Sequence, residues 1–227
     1  DGIMHNKFIV MDGQAVWLGT WNFTADDTYR YNNVGLWIQS PELARNYTAE
    51  FEKLFVDKNF GNRKQSRRIQ HELTIGSLHV ENYFTPADNA TAAIVARLKQ
   101  AQTSIHFLAY SFTADALGQA LLDRAQAGVE VRGVFENTGS DTAFSEFGRM
   151  KKAGLDVLPD GNPYLMHHKI FIIDGQTVEV GSFNFSDNAQ NQNDENLIIV
   201  DSPDLAKIFE AEFLRVYATA QNTSKKK

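Results

Sequence analysis

HHKIFIIDGQTVEVGSFN, residues 167–184, repeats residues 5–22, HNKFIVMDGQAVWLGTWN, as His-x-Lys-x4-Asp-x6-Gly-Ser/Thr-x-Asn, each shared position displaced by 162 from His5 to His167. Two matching copies of a pattern built on His, Lys and Asn are a poor recipe for core packing, because those side chains are seldom fully buried without a partner. One composite site made of two half-sites is the expectation. Both copies are β-rich runs broken by Asp-Gly, the strongest short hairpin signal. Asp12 and Asp174 therefore sit at turns, where an Asx side chain bonding nearby backbone accounts for them structurally.

The repeat is wider than the motif. QSPELARNYTAEFEKLF (39–55) lies on DSPDLAKIFEAEFLRVY (201–217) at the same offset without a gap. Both segments read as helices, with Ser40 and Ser202 at the N-cap and Pro41 and Pro203 at the first helical position. Leu43, Tyr47, Phe51 and Leu54, matched by Leu205, Phe209, Phe213 and Val216, give each one apolar face.

Upstream of the second motif the pattern is a full α/β unit: helix 89–101, strand 104–112, a helix from Thr113 to Gly128, strand 129–135, a helix over 144–153 and a short strand LDVL. Strands alternating with helices imply parallel pairing in a sheet covered on both faces. Only four residues precede His5, whereas 87 separate Val80 from His167. A first repeat lacking most of its front is the expectation, with residues 1–57 as its C-terminal part, 58–79 as linker, 80–220 as a complete second repeat and 221–227, ending in TSKKK, as a tail. Arg63, Lys64, Arg67 and Arg68 in the linker could steer a polyanion, but a solvated linker accounts for such a charge run.

Composition narrows the classes. With 227 residues and 43 % hydrophobic content the chain can bury a sizeable core. No apolar run approaches the roughly 20 residues of a membrane span. Zero cysteine removes disulfides, thiolate metal sites and a cysteine nucleophile, and it suits an extracytoplasmic bacterial protein somewhat better than a cytoplasmic one. A formal charge of −6 disfavours a cationic nucleic-acid coat protein.

Each half-site supplies an imidazole that can change charge near neutral pH, an ammonium two residues along the same strand face and a carboxamide from a neighbouring strand. That set suits an anion. Lys and Asn can hold the non-bridging oxygens of a phosphate and stabilise the charge of a pentavalent transition state. Two facing half-sites put one histidine on each side of phosphorus: one neutral to attack, the other protonated to serve the leaving oxygen. The two Lys and two Asn supply the charge stabilisation that Mg²⁺ would otherwise give, so the expectation is no cofactor and no metal.

The doubled motif resembles that of the phospholipase D superfamily, the HKD enzymes, over residues 4–55 and about 80–217. SIHFLAYSFT, GVEVRGVFE and MHHKIFIID are similar to its smaller bacterial phosphodiesterase and nuclease-like members. The resemblance implies an α/β fold of two pseudo-symmetric α-β-α halves with mixed sheets, the first here truncated at its N-terminus. It implies a metal-independent phosphodiesterase that forms a covalent phosphohistidine on a phospholipid or nucleic-acid diester. His5 and His167 match its catalytic histidines, Lys7 and Lys169 its phosphate-binding lysines, and Asn22 and Asn184 the asparagines on the same phosphate. Thr20 and Ser182 match an adjacent substrate-binding hydroxyl.

Glu195 matches an acid that orients the histidine from behind, and Asn33 stands in the equivalent place of the first copy. A carboxylate behind His167 would raise its pKa and make it the general acid, leaving His5 as nucleophile. His168 alternates to the opposite sheet face, where packing or surface is its expected role. Trp21, Phe23, Phe183 and Phe185 flank the asparagines and read as core, with base stacking or a pocket lining as the functional alternative. A catalytically inactive fragment or a phosphate- or polyanion-binding module is the competing class, and transfer to an alcohol competes with hydrolysis.

Overall fold

The computed structural model describes residues 2–61, 69–140 and 142–224. In chain order these form β1 (Phe8–Met11), β2 (Ala15–Gly19), α1 (Ala25–Tyr29), β3 (Gly35–Gln39), α2 (Pro41–Phe55), β4 (Glu72–Ile75), β5 (Leu78–Thr85), α3 (Ala90–Gln100), β6 (Ser104–Ala109), α4 (Asp115–Gln126), β7 (Glu130–Phe135), α5 (Asn137–Ser140), α6 (Glu146–Lys152), β8 (Asp156–Pro159), β9 (Lys169–Ile173), β10 (Thr177–Gly181), α7 (Asp187–Asn191), β11 (Glu195–Asp201) and α8 (Pro203–Ser224). The architecture is mixed α/β. A three-stranded sheet runs β1-β2-β3 and an eight-stranded sheet β4-β5-β11-β10-β9-β6-β7-β8.

The α/β unit read from the sequence supplies the parallel part, β6-β7-β8. The remaining pairings of the large sheet are antiparallel. The two Asp-Gly turns close hairpins β1-β2 and β9-β10 with Asp12, Gly13, Asp174 and Gly175 all at positive φ, between 52° and 62°. Gln14 N donates to Met11 O and Gln176 N to Ile173 O, so both turns are of the primed type whose twist matches the flanking strands. Asp174 does more than close its own turn. Its carboxylate accepts from Gln102 N, Thr103 N, Thr103 Oγ1 and Ser104 N, about seventy residues away, and ties the hairpin to the entry of β6.

The serine caps form as read: Leu43 N donates to Ser40 Oγ and Leu205 N to Ser202 Oγ. One position of the α2 face differs. Phe51 is about half exposed, and Glu50 and Lys53 are buried in its stead. Lys53 Nζ lies 2.8 Å from Glu50 Oε1 and 3.5 Å from Asp194 Oδ1, so a polar network occupies the stripe that an apolar template would give to Phe51. Burial raises Glu50 to about 7 despite Lys53.

Two further boundaries move. The stretch read as linker 58–79 contains β4 and the start of β5, a hairpin that extends the large sheet. Helix α8 continues to Ser224, into the stretch read as a tail. Arg63, Lys64, Arg67 and Arg68 lie outside the described residues.

Two apolar cores cover the large sheet. Phe107, Phe112, Phe171, Phe183, Phe185 and Ile199 pack on one face with α3 and α4. On the other, Ile170, Ile172, Val178, Val180 and Ile198 meet α8 together with Val16, Leu18, Leu43 and Tyr47 from the first 57 residues. This second core joins the two sheets, at roughly 25 cal/mol per Å² of apolar surface removed from water. The small sheet's opposite face carries Ile9 and Trp37, both exposed.

Candidate active site

The junction of the sheets is a reciprocal exchange of backbone. His5 N donates to Asp194 O and His167 N to Asn32 O, each at 2.9 Å; Asp194 N donates to Ile3 O and Asn32 N to Leu165 O, each at 3.0 Å. Each bond becomes its partner when 162 is added to or taken from its residue numbers, which is the pattern of an isologous contact. It places each motif histidine against the segment leading into the other copy's last strand.

The exchange reverses one expectation, and with it falls the argument that an acid behind His167 makes that ring the general acid. Glu195 stands behind His5, not His167: His5 Nδ1 and Glu195 Oε2 are 2.7 Å apart. Behind His167 stand Asn33 Oδ1, 3.1 Å from Nδ1, and Asp27 Oδ1 at 3.4 Å. An offset says which positions correspond; it does not say which half a side chain faces, and the crossed backbone bonds decide that.

Thr20 and Ser182 also differ from expectation. Both are fully buried. Ser182 Oγ donates to Glu195 Oε2 at 2.7 Å and Thr20 Oγ1 to Asn33 Oδ1 at 2.9 Å. They brace the groups behind the histidines and do not face a substrate. Because Nδ1–H of each ring donates backward, each Nε2 lone pair is directed away from these braces.

The lysines converge between the histidines. Lys7 Nζ donates to His5 O at 2.7 Å and Lys169 Nζ to His167 O at 2.8 Å, leaving each ammonium two further hydrogens. Lys169 is wholly buried beside the Tyr110 ring, 4.7 Å from its centroid, and that ring meets His167 edge-on. Burial lowers Lys7 to about 8, partly offset by Glu195 and Asp27. Burial, then Lys7, puts Lys169 well below the ordinary lysine range. Burial, then Lys169 and Lys7, holds His167 down at about 2, so its ring is neutral. Two crowded lysines whose cations are each disfavoured by burial, beside a neutral imidazole, form a site that an anion would stabilise.

The asparagines are not equivalent. Asn22 Nδ2 is turned toward the Asp27 carboxylate at 3.2 and 3.3 Å. Asn184 has Ala189 at the corresponding place, and its Oδ1 is buried without a hydrogen-bond partner. Asp27 and Tyr110 escaped the sequence reading. For Asp27 the signal present, Thr24-x-x-Asp27, is a helix-capping pattern, and Thr24 Oγ1 does accept from Asp27 N. His168 is completely buried with Nε2 2.9 Å from Glu212 Oε1, a packing role. Of the flanking aromatics, Phe183 and Phe185 are core, while Trp21 is half-buried and Phe23 exposed.

Residues 1–55 and 94–217 match the family described as cardiolipin synthase, PLD-like domain. Phospholipase D of Rickettsia typhi is 33 % identical over 207 residues, covering 90 % of this chain and 91 % of that one. Phospholipase D of Rickettsia prowazekii is 33 % identical over 131 residues, and the match spans 64 % of its length. Among solved structures, the phospholipase D family member Nuc from Salmonella typhimurium superposes with a TM-score of 0.59 at 30 % identity over 63 % of this chain and 95 % of Nuc. Phosphatidylserine synthase of Haemophilus influenzae shares the fold, with a TM-score of 0.69 at 14 % identity over 92 % of this chain and 61 % of that one.

Proposed function

Because the chain belongs to the phospholipase D superfamily and is one of its phosphodiesterases, we propose that it hydrolyses a phospholipid diester through a covalent phosphohistidine on His5. The observation that carries this reading is the 2.7 Å contact of His5 Nδ1 with the buried Glu195. A carboxylate there fixes the tautomer with its lone pair on Nε2 and stabilises the positive charge that grows on the ring as the N–P bond forms.

Lys7, Lys169 and Asn184 hold the non-bridging oxygens. His5 Nε2 attacks phosphorus, the P–O bond to the alcohol breaks, and the leaving oxygen takes a proton from His167. The bound anion supplies the condition for that proton. Burial is the larger cause of the neutral ring in the free site; the anion offsets the further repulsion of Lys169 and Lys7 and so favours the protonated imidazole once substrate is in place. Water then gives a proton to His167 and attacks phosphorus, the N–P bond breaks, and a phosphomonoester leaves.

Ile3, Met4 and Phe60 are exposed in the wall of a hollow they share with Gln192 and Asp194, the residue whose carbonyl takes the His5 N–H, and these side chains favour a lipid over a nucleic acid. The formal charge of −6 acts in the same direction.

The test uses a chromogenic phosphodiester, phospholipid vesicles and single-stranded DNA side by side in EDTA. His5→Asn should abolish turnover and phosphoenzyme. With the chromogenic diester, whose leaving group departs without a proton, His167→Asn should abolish turnover while leaving an acid-labile, base-stable phosphoenzyme on His5. Activity that survives His5→Asn, or that needs added metal, refutes the mechanism. DNA cleavage without lipid hydrolysis refutes the substrate assignment alone.

A further inference from the structure

In the second repeat the residues corresponding to Asp27 and Asn33 are Ala189 and Glu195. Each half thus carries one carboxylate over these two positions, but at opposite places. The displacement is spatially compensated. Asn33 Oδ1 occupies the role of Glu195 Oε2, taking the Nδ1–H of a motif histidine and the hydroxyl of the preceding strand's Thr or Ser. The charge that Asn33 lacks sits directly behind it: Asn33 Nδ2 donates to Asp27 Oδ1 at 3.2 Å, and the same oxygen lies 3.4 Å from His167 Nδ1.

A helix cap alone does not account for this arrangement. Capping engages Asp27 Oδ2, which accepts from Thr24 Oγ1 at 2.8 Å. Oδ1 points to the other side and gathers Asn22 N, Asn22 Nδ2 and Asn33 Nδ2 around a carboxylate only 5 % exposed. Asp27 is also the counter-charge that both Lys7 and Lys169 feel, alongside Glu195.

We infer that Asp27 is the positioning residue of His167, carrying through and beside Asn33 the charge that Glu195 delivers directly to His5. This rests on the reaction proposed above. The two histidines are accordingly set apart by design: one touches a carboxylate at 2.7 Å, while the other meets a polarised carboxamide with a carboxylate slightly farther off. A direct carboxylate suits the ring that accumulates positive charge on attack. A softer contact suits the ring that must both give and take a proton within one turnover.

Three variants test the inference. Asp27→Asn should lower kcat about 10- to 100-fold, the usual cost of removing a buried orienting partner, with KM little changed and the alkaline limb of kcat moved to lower pH. A merely structural role would lower kcat equally at every pH. Asp27→Ala with Asn33→Glu, which copies the second repeat's own Ala189 and Glu195, should restore the rate and return the limb, whereas Asp27→Ala alone should do neither. Long-range ¹H–¹⁵N spectra of the histidines, which need no turnover, should show His167 losing its fixed Nδ1–H tautomer in Asp27→Asn and regaining it in the double variant. An unshifted limb with an unchanged tautomer, or a double variant no better than Asp27→Ala, overturns the assignment. Absence of phosphodiesterase activity in the unmodified protein would instead sink the proposed function, and the spectra would still decide the role of Asp27.

Discussion

The pH dependence of substrate capture follows from one buried ammonium. Lys7 is 4 % exposed and sits at about 8, because burial disfavours its cation more than Glu195 and Asp27 favour it. The cation, which is the form that holds phosphate, predominates below that pH and is lost above it. One unit higher, at pH 9, about one tenth of the free enzyme retains the charge against about half at pH 8, so kcat/KM should fall about fivefold between those points, to about a tenth of its low-pH plateau. Lys169, also pushed down, makes the fall steeper, not shallower. The limb on kcat should lie at higher pH than the limb on kcat/KM, since a bound anion returns both lysines to their charged form. The assay is the initial rate on a chromogenic phosphodiester in EDTA over pH 6 to 10. Lys7→Arg isolates the cause: a guanidinium does not deprotonate in this range, so Lys7's contribution to the limb should vanish even where the plateau drops. A kcat/KM that stays flat through pH 10, or an identical alkaline limb in Lys7→Arg, would refute the reasoning.

Other substitutions separate neighbouring roles. Ser182→Ala should cost kcat and leave KM nearly unchanged, since the hydroxyl is buried against Glu195 and out of reach of a ligand; a rise in KM as large as the fall in kcat would return Ser182 to the binding surface. Glu179 is 1 % exposed between Phe171 and Ile199 with neither carboxyl oxygen hydrogen-bonded, and burial raises its pKa well above the usual 4.5. The unfolded chain releases that proton above 4.5 while the folded one keeps it, so the cost grows as pH rises. Glu179→Met should stabilise by about 1–3 kcal/mol, and thermal unfolding by circular dichroism should show the gap widening from pH 5 to 8. Asp174→Ala should destabilise by about 1–3 kcal/mol by stranding the backbone donors of residues 102–104, and urea unfolding of Asp12→Ala, whose turn lacks that docking, should show a smaller loss.

Much of the fold was written where local chemistry is decisive. The Asp-Gly hairpins, the Ser-Pro helix starts and the α/β unit before His167 each depend on residues close in sequence, and each formed where expected. The candidate residues were legible as types, because His, Lys and Asn recur at fixed intervals. Their partners were not. The offset sets Glu195 behind His167, since a repeat specifies correspondence within halves, whereas the crossing at Asp194 and Asn32 is a contact between them and turns Glu195 to His5. Hydrophobic periodicity puts Phe51 inside because it cannot see the Glu50–Lys53–Asp194 network that takes its place. Asp27 looked like a cap, and is one; that its second oxygen faces His167 depends on residues more than a hundred positions away.

All three tryptophans lie in or beside the small sheet: Trp17 and Trp37 face each other across β2 and β3, and Trp21 meets Trp17 edge-on at 5.2 Å. Ultraviolet emission from this protein therefore reports on residues 17–37 and is silent about the eight-stranded sheet, while far-ultraviolet dichroism is dominated by the latter. Overlaying the two melting curves would show whether the core shared by Val16, Leu18, Leu43 and Tyr47 makes the molecule one cooperative unit or two. Trp21, next to Asn22, makes the same emission an unlabelled gauge of ligand arrival at the proposed site.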